Sequence, residues 1–318
     1  MQITLQNTEK GQCYAVRFDR YRQQVVDKLK TAVSVRWWDK STGAWMIPAN
    51  NKCKAELDQL TYYVRHFEPV NWGGNESKTD EDIAYQIPDM PELDEDHGLK
   101  IQPYPYQLQG IARGLQLKRF INGDDMGLGK TLESIATINK ADAFPCLVIC
   151  PNTVKINWQR EWHKFTDKKA MVLTDSVRTS WPFFWQTGMN HVFIVNYESL
   201  RKYFVRRINK SEKWTLKDVE FHNTIKLFKS VIIDESHKVK STATQQSKFC
   251  KGITAGKEWI ILLTGTPVVN KPNDLICQLA IMDRMNDLGG WKYFTSRYCS
   301  GPHGASNLKE LNFMLWKH

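Results

Sequence analysis

Residues 123–131 read GDDMGLGKT, and this stretch decides the fold of the longer part of the chain. It follows an apolar strand end at 120–122 and precedes a run with helical periodicity at 132–138. A strand, a glycine-rich loop and a helix in that order form a phosphate-binding loop. Gly127 and Gly129 let successive backbone N–H groups face a phosphate, and the helix start adds its positive dipole end.

The side chains of this loop predict that it binds the phosphates of a nucleotide together with Mg²⁺. Lys130 can reach the β- and γ-phosphates, and the hydroxyl of Thr131 can ligate the metal. The strict pattern G-x-x-x-x-G-K-[ST] has glycine where this chain has Asp124. We expect the rest of the loop to surround the phosphates, namely Asp125, Met126, Gly127, Leu128 and Gly129.

Two adjacent acids follow another apolar strand. The β-branched residues at 231–233 predict a buried parallel strand, and Asp234 and Glu235 come directly after it. Ligands bind at the carboxyl ends of such strands. We expect Asp234 to hold Mg²⁺, directly or through water, and Glu235 to orient and deprotonate the attacking water.

Three further apolar runs end in small or polar residues. They cover 146–150, 192–195 and 259–263, and the last is followed by Thr264, Gly265 and Thr266. With the strands before Gly123 and Asp234 they make five strands separated by helical or loop connections. This pattern predicts an α/β fold, a doubly wound parallel sheet with helices on both faces and its functional loops at one edge.

The first 72 residues have a different pattern, which predicts a small α+β module. We expect strands at 14–18, 33–38, 44–47 and 62–67, with helices at 21–30 and 51–60. Its aromatic residues can form the core that a domain of this size needs, or a platform on which nucleic-acid bases stack. Trp37 and Trp38 are neighbours on a strand, so only one of them can be core.

Charge is distributed unevenly along the 318 residues, whose formal net charge is +10. Between 75 and 97 there are nine acids and one base, so this segment carries −8 and the remainder +18. We therefore expect an acidic linker at 73–98, between a module at 1–72 and a second domain at 99–318. A basic body suits a polyanionic partner, but it also suits an ordinary soluble surface.

The sequence also limits the cellular compartments in which the protein is expected. No run of about 18 apolar residues exists, so no membrane span is expected, and the N-terminus lacks the apolar core of a secretory signal. The seven cysteines are scattered without a C-x-x-C pair, which favours reduced thiols over disulfides or a zinc site. We expect the cytoplasm (a nucleoid or a phage-infected cell) or a nucleus.

Six ordered segments resemble the first motor lobe of Swi/Snf-type superfamily-two ATPases. They are LKIQPYPYQLQG, GDDMGLGKT, LVICPNTVKINW, VNYESL, VIIDESHKVK and LTGTPVVNKPNDL, and the resemblance covers 99–318. It implies a RecA-like lobe, ATP hydrolysis and sequence-independent contact with DNA. It also implies an adenine-reading Gln107 beside Tyr106, and a coupling role for His237 with Thr264, Gly265 and Thr266. The residues it implies as contacts to a DNA strand are Pro151, Asn152, Thr153, Lys155, Asn196 and Tyr197.

The N-terminal stretch AVRFDRYRQQVVDKLKTAVSVRWWDKSTGAWMIP resembles the HepA-related domain that precedes the motor in annealing helicases. The resemblance lies in a strand, a helix and a W-D-x-x-T-x-x-W hairpin. It implies recognition of branched or fork DNA.

Family motors have two lobes, and the second supplies arginine fingers worth roughly 10³–10⁵ in rate in comparable phosphoryl transfer. Nothing after residue 257 resembles that lobe, and the chain ends about where the linker to it is expected. We therefore expect an N-terminal fragment, or a chain completed by another polypeptide, that alone binds nucleotide weakly and hydrolyses it poorly. Two alternatives are a strand-separating DNA or RNA helicase of the D-E-x-H type and a nucleotide-gated, non-catalytic DNA-binding module.

Two segments keep no assigned role. Residues 201–229 contain nine bases and three acids, which is typical of a DNA-facing insertion or of a solvated face. The aromatic run at 181–185 has no usable period, and we expect a buried loop there.

Overall fold

The computed structural model describes residues 1–8, 11–18, 23–64, 70–73, 90–91, 93, 97–210, 212–265, 272–299 and 304–317. They belong to two compact units, Met1–Ala84 (unit 1) and Tyr85–His318 (unit 2). The expected linker at 73–98 lies mostly outside the described residues, so its prediction stays open.

Unit 1 is a five-stranded sheet with two helices. Its strands lie in the order β3-β4-β2-β1-β5, antiparallel except for the β1–β5 pair. Ile3, Val16, Leu29 and Leu57 are buried together, so the helices close one core with the sheet. The elements are β1 (Gln2–Thr8), β2 (Gly11–Arg17), α1 (Gln23–Ala32), β3 (Trp37–Asp39), β4 (Ala44–Pro48), α2 (Asn51–Val64) and β5 (Asn71–Gly73).

Two strand predictions fail in part in unit 1. The strand expected at 33–38 begins only at Trp37, and residues 33–36 form no strand. The strand expected at 62–67 is wrong for 62–64, which continue α2, while 65–69 are not described. The edge-adjacent strand β1 was not predicted, because QITLQNT is polar at most positions. As expected for strand neighbours, Trp38 is 49% exposed whereas Trp37 packs against a small buried cluster.

Unit 2 contains a six-stranded, wholly parallel sheet in the order β6-β13-β12-β7-β9-β8. A separate two-stranded antiparallel hairpin is formed by β10 and β11. The strands are β6 (Arg119–Asn122), β7 (Cys146–Cys150), β8 (Ala170–Val172), β9 (Val192–Asn196), β10 (Val205–Ile208), β11 (Val219–Phe221), β12 (Ser230–Asp234) and β13 (Trp259–Leu263). The five predicted strands are present; the sixth, β8, is only three residues long.

Helices cover both faces of this sheet, and successive strand residues alternate between them. Ile232 packs on the side of Ile135 and Trp162, whereas Val231 and Ile233 pack on the side of Phe249. The predicted α/β class with a small α+β module is therefore confirmed. The helices are α3 (Pro105–Leu117), α4 (Lys130–Lys140), α5 (Lys155–Phe165), α6 (Trp181–Gln186), α7 (Leu200–Phe204), α8 (Gln245–Thr254), α9 (Asn273–Met282), α10 (Gly290–Tyr298) and α11 (Leu308–Lys317).

The aromatic run at 181–185 is helix α6 and not the buried loop that was expected. Trp181 is buried and stacks on Phe228 with ring centroids 4.4 Å apart, but Phe183 is exposed. A single helical turn with one inward and one outward aromatic ring has too few residues to show a period.

All seven cysteines are free thiols, and six of them are buried. Among the described residues, no helix is long and apolar enough to cross a membrane.

Candidate nucleotide site

The loop between β6 and α4 has the backbone of a phosphate cradle. Gly127 and Gly129 have φ angles of +88° and +92°, a region that glycine enters without a steric penalty. Gly129 is the N-cap of α4, so the helix begins at Lys130 with its free N–H groups directed into the loop. An anion in the loop would meet these donors and the positive end of the helix dipole.

The ammonium group of Lys130 occupies the interior of this loop. Its Nζ donates to the carbonyl oxygens of Asp124 at 2.7 Å and of Asp125 at 2.9 Å. The departure at Asp124 therefore leaves the backbone contacts of the loop intact, because the carbonyl and not the side chain holds the lysine.

The start of α3 is tied to the same loop. The carbonyl oxygen of Leu128 accepts hydrogen bonds from Gln107 Nε2 at 3.0 Å and from the Tyr106 hydroxyl at 3.1 Å. Gln107 is buried, and its Oε1 accepts from the backbone N–H of Tyr104 at 3.0 Å. The rings of Tyr104 and Tyr106 stack 5.9 Å apart and are largely exposed. The two residues expected to hold adenine thus lie beside the phosphate loop.

The two acids at the end of β12 reach the site through a sharp change in backbone direction. Glu235 has φ +52° and ψ 50°, a left-handed conformation that is uncommon for a residue other than glycine. Asp234 is held by the Trp158 indole, whose Nε1 donates to Oδ2 at 2.8 Å, and by the N–H of Glu235, which donates to Oδ1 at 2.9 Å.

Burial raises the pKa of Asp234, and the neighbouring charge of Glu235 adds to this, while the charge of Lys130 acts in the opposite direction. Because β12 and β6 both pair in parallel with β13, the end of β12 and the phosphate loop lie at the same edge of the sheet.

His237 links the acids to the turn after β13. Its Nδ1 lies 3.2 Å from Glu235 Oε2 and 3.4 Å from the hydroxyl of Thr264. The backbone N–H of Thr264 donates to the carbonyl of Asn122 at 3.1 Å, which joins this turn to the strand before the phosphate loop. Three of the four residues expected to couple hydrolysis to DNA are thus in contact or adjacent in the chain; Thr266 lies outside the described residues.

Two buried residues that sequence reasoning missed connect these parts. Asn122 Oδ1 accepts from the N–H of Asp124 at 3.1 Å, and its Nδ2 donates to Glu133 Oε2 at 2.7 Å. Glu133 is 3% exposed. Its burial raises the pKa to about 8, with the charge of Asp124 as the second cause. An asparagine at a strand end and a glutamate inside a helix carry no sequence signal of such contacts.

The residues expected to touch DNA lie on two neighbouring loops. Asn152 and Thr153 are exposed after β7, and Lys155 Nζ donates to Asn196 Oδ1, across the loop after β9, at 3.4 Å. Pro151 is half-buried at the start of the first loop. Asn196 is only 9% exposed, and Tyr197 is buried as well: the Tyr197 hydroxyl donates to the carbonyl of Asp234 at 2.5 Å. Its side chain therefore joins the second loop to the acids and is not presented to a partner.

Ser236 has a buried role of its own. Its hydroxyl donates to Gln278 Oε1 at 2.8 Å, so it fixes the turn after Glu235 to helix α9.

The donor set suits Mg²⁺ held together with a nucleotide. Thr131 and Asp234 offer the hard oxygen ligands that this ion prefers, usually one or two per protein alongside phosphates and water. In the described part of the chain, no group of three or more His, Cys, Asp or Glu side chains forms a site that would hold a metal unaided. A site completed by phosphate oxygens fits both observations.

Comparison with known proteins identifies relatives for nearly the whole chain. Residues 39–313 match the SNF2-related domain. The chain is 29% identical over 234 residues to the SWI/SNF-related matrix-associated actin-dependent regulator of chromatin subfamily A-like protein 1 homolog of Caenorhabditis elegans, covering 67% of this chain and 30% of that protein. The protein of that name in Drosophila melanogaster is 24% identical and covers 95% of this chain and 38% of its own length.

Two further matches are to a protein named as a DNA annealing helicase and to a structure solved in complex with DNA. The human DNA annealing helicase and endonuclease ZRANB3 is 27% identical, with 68% of this chain and 20% of that protein covered. A solved structure, the Sulfolobus solfataricus SWI2/SNF2 ATPase core in complex with dsDNA, matches with a TM-score of 0.54 and 26% identity, over 71% of this chain and 45% of that one. The chain thus spans between a fifth and two fifths of the length of these curated relatives.

Proposed function

The chain belongs to the SNF2-related family, and we propose on that basis that it is the nucleotide-hydrolysing lobe of an ATP-dependent DNA translocase or remodeller. The observation that carries the proposal is the meeting of the phosphate loop, the Asp234–Glu235 pair and the His237–Thr264 contact at one edge of the sheet. An ATP site alone needs only the loop. The acids and the coupling contact are the parts that hydrolysis and its transmission require.

Each group has a separate task in this proposal. The backbone N–H groups of the loop and Lys130 hold the phosphates of ATP, with Tyr106 and Gln107 beside the base. Glu235 accepts the proton of the attacking water, so its carboxylate loses its negative charge. Because His237 contacts both Glu235 and Thr264, it can transmit this change in charge to the turn after β13. Thr131 and Asp234 would hold Mg²⁺, which when bound would supply charge neutralisation at the phosphates.

A second RecA-like lobe, in cis or in trans, is the expected partner for turnover. Phosphoryl transfer in such motors gains roughly 10³–10⁵ in rate from arginine fingers. In this proposal those fingers come from the second lobe, so we expect residues 1–318 alone to bind ATP and to hydrolyse it slowly.

DNA is the proposed track, and branched or fork DNA the preferred form. The solved relative named above holds double-stranded DNA, and the human relative is named as an annealing helicase. The exposed Asn152 and Thr153 and the half-buried Lys155, which donates to the buried Asn196, offer polar contacts to a phosphate backbone, which carry no sequence preference. The fork preference is assigned to unit 1.

The proposal is tested by replacing the base. Glu235→Gln keeps the shape of the side chain but removes its proton-accepting charge, so single-turnover hydrolysis should fall about 10²-fold or more. Equilibrium binding of a fluorescent ATP analogue should stay within about twofold of the original, since Glu235 does not hold the phosphates. Both are measured with and without duplex, forked and single-stranded DNA, and with RNA.

Glu258→Gln is the matched control, because Glu258 is exposed and pairs with Lys118 away from the site. It should leave binding and hydrolysis unchanged. Hydrolysis that persists in Glu235→Gln would show that another group is the base. An unaltered chain that binds no ATP, or that responds to RNA and not to DNA, would overturn the proposed function.

A further inference from the structure

The strongest charge in unit 2 outside the nucleotide site lies on α7 and the β10–β11 hairpin. Residues 201–229 have nine bases and three acids, a balance of +6 over a short stretch. Several of these bases are paired within the segment or nearby, as Lys202 is with Asp175 at 2.6 Å and Lys210 with Asp218 at 3.3 Å. The bases still outnumber the carboxylates that the segment offers them.

Apolar contacts fix the hairpin to the body of unit 2. Trp214 stacks on Phe249 of α8 with centroids 5.6 Å apart, and Phe221 meets the same ring edge-on at 6.5 Å. Lys248 Nζ donates to the carbonyl of Trp214 at 2.8 Å. One side of the hairpin therefore packs against α8, and this packing fixes the position of the opposite side, which faces solvent.

A shift in the pairing of β10 with β11 brings the side chains of two neighbouring arginines to the same carboxylate. The pairing of β10 with β11 shifts between Val205 and Arg207, so Arg206 and Arg207 do not alternate as neighbours on a regular strand do. Both reach one carboxylate, since Glu220 lies 2.9 Å from Arg206 and 3.3 Å from Arg207. Both side chains are 69% exposed. Two guanidinium groups sharing one carboxylate leave a net positive charge with donors directed outward.

This pair adjoins the loop after β9 that is proposed to touch DNA. Arg201, Arg206 and Arg207 line one open groove of about 410 Å³ together with Glu198. Glu198 Oε2 accepts from Asn196 Nδ2 at 2.7 Å, and the charges of Lys238 and Lys155 contribute to lowering its pKa. The groove of Arg201, Arg206 and Arg207 therefore adjoins the loop that carries Asn196, and Glu198 lies between them.

We propose that Arg201, Arg206 and Arg207 form a second DNA-backbone site, which binds phosphates of the DNA held at the loop after β9. Guanidinium groups pair with phosphate oxygens in a bidentate manner and need no particular base. Continuity with the Asn196 loop favours DNA over an acidic protein as the occupant. The inference rests on the proposed function, since it lengthens the DNA contact assigned there.

The test is a salt titration of DNA binding by the whole chain. Affinity for a fluorescent duplex is measured by anisotropy from low to moderate salt for the unaltered chain and for Arg201→Gln/Arg206→Gln/Arg207→Gln. Each phosphate contact contributes roughly 0.9 to the slope of log K against log[salt], so the triple variant should lose about 2–3 from that slope. Its affinity near 0.1 M salt should fall about tenfold or more.

A matched control removes three lysines from the opposite edge of the sheet. Lys164, Lys168 and Lys169 lie at the end of α5 and before β8, where the strands begin, and Lys168 pairs with Asp142. Lys164→Gln/Lys168→Gln/Lys169→Gln makes the same change in net charge and should leave the slope unchanged. An equal loss in both triple variants would reduce the effect to net charge and overturn the site.

A second variant, which is expected to strengthen DNA binding, keeps the test valid if the triple variant misfolds. Glu220→Gln removes the carboxylate that Arg206 and Arg207 share, so it should strengthen duplex binding severalfold without altering ATP binding. Unchanged or weaker DNA binding in Glu220→Gln would contradict the site even if the triple variant misfolds.

The failures of the two proposals are distinguishable. If the unaltered chain binds no DNA, the proposed function itself fails. If it binds DNA and Lys155→Gln weakens that binding, but the arginine variant keeps its affinity and slope, only the second site is wrong. Binding of a polyglutamate peptide that is lost in the arginine variant, with DNA binding unaffected, would assign the surface to an acidic protein.

Discussion

Glu133 shows how one buried side chain is placed between the parts of the nucleotide site. Its Oε2 accepts from Asn122, which also accepts from the N–H of Asp124 at the start of the phosphate loop. Its Oε1 has no hydrogen-bond partner among the described residues. With a pKa raised to about 8, the carboxyl is mostly protonated at pH 7 and so avoids the cost of a buried charge.

The protonation of Glu133 makes stability depend on pH in an unusual direction. The folded pKa of about 8 is above the ordinary value of 4.5, so between these values the folded chain keeps a proton that the unfolded chain releases. Stability should therefore fall as pH rises from about 5 to 8 and level off above that. Glu133→Gln keeps an acceptor for Asn122 without the proton and should be more stable near pH 8, by on the order of 3 kcal/mol.

This prediction is checked by urea unfolding at several pH values between 5 and 8, without nucleotide or divalent metal. The exposed Glu258→Gln variant should keep the pH profile of the original chain. Parallel profiles for the original chain and Glu133→Gln would show that Glu133 is ionised in the folded state.

At the scale of elements, the turn from β6 into α4 leaves little room for any residue but glycine at position 129. Its φ of +92° is unfavourable for other residues, and a Cβ there would collide with the side-chain amide of Gln107. That amide is the group that donates to Leu128 and ties α3 to the loop. Close approach of the two elements therefore depends on the missing side chain.

Gly129→Ala should lower ATP affinity about tenfold or more, because Gln107 and the loop must move apart. Gly188→Ala is the matched control: it has φ +69° but no atom within 4 Å of the added Cβ. Both variants should lose about 1–2 kcal/mol of stability from backbone strain, and only the first should lose affinity. ATP titration together with urea unfolding separates the two effects, and equal affinities would refute the role of the collision.

The elements also show which features the sequence makes predictable. Runs such as 146–150 and 192–195 are apolar over their full length because both faces are buried, so they could be recognised as strands. Strand β8 has three residues, and β1 is polar at most positions, so neither had a usable pattern. Helix α2 continues past its expected end because Leu60 and Val64 are buried against the sheet, and this packing is decided by tertiary contacts.

The residues of the candidate site also fall into two groups, those that the sequence predicts and those that it does not. The positions of Lys130, Asp234 and Glu235 follow from motifs that lie at strand ends, which parallel topology brings to one edge. Asn122, Glu133 and Trp158 could not be assigned, since their contacts join residues that are far apart in the chain or unremarkable in type. The motif likewise gave the position of Tyr197 but not the direction of its ring, which is buried.

At the scale of the whole molecule, each unit has a hydrophobic core of its own. The clusters around Ile3 and Cys13 belong to unit 1, and those around Ile135 and Phe249 belong to unit 2. The nucleotide site lies wholly in unit 2.

We therefore expect residues 85–318 to fold and bind ATP without unit 1. Their ATP affinity should lie within about twofold of that of the full chain, whereas any preference for forked over duplex DNA should fall. Anisotropy with forked and duplex DNA, alongside ATP titration, measures both. An unchanged fork preference would remove the assignment of that preference to unit 1, and loss of ATP binding would show that the units are interdependent.

The contacts of Lys130 with two loop carbonyls also bear on which ligands the loop can bind. Its ammonium group already has two acceptors from its own chain, so an incoming phosphate must compete with them for the same donor. The observed affinity is then the intrinsic affinity reduced by the fraction of time that the lysine is turned inward. We therefore expect inorganic phosphate to displace these carbonyls less readily than a triphosphate, which brings more charge, so the loop should discriminate ligands by their charge as well as by contacts with the base.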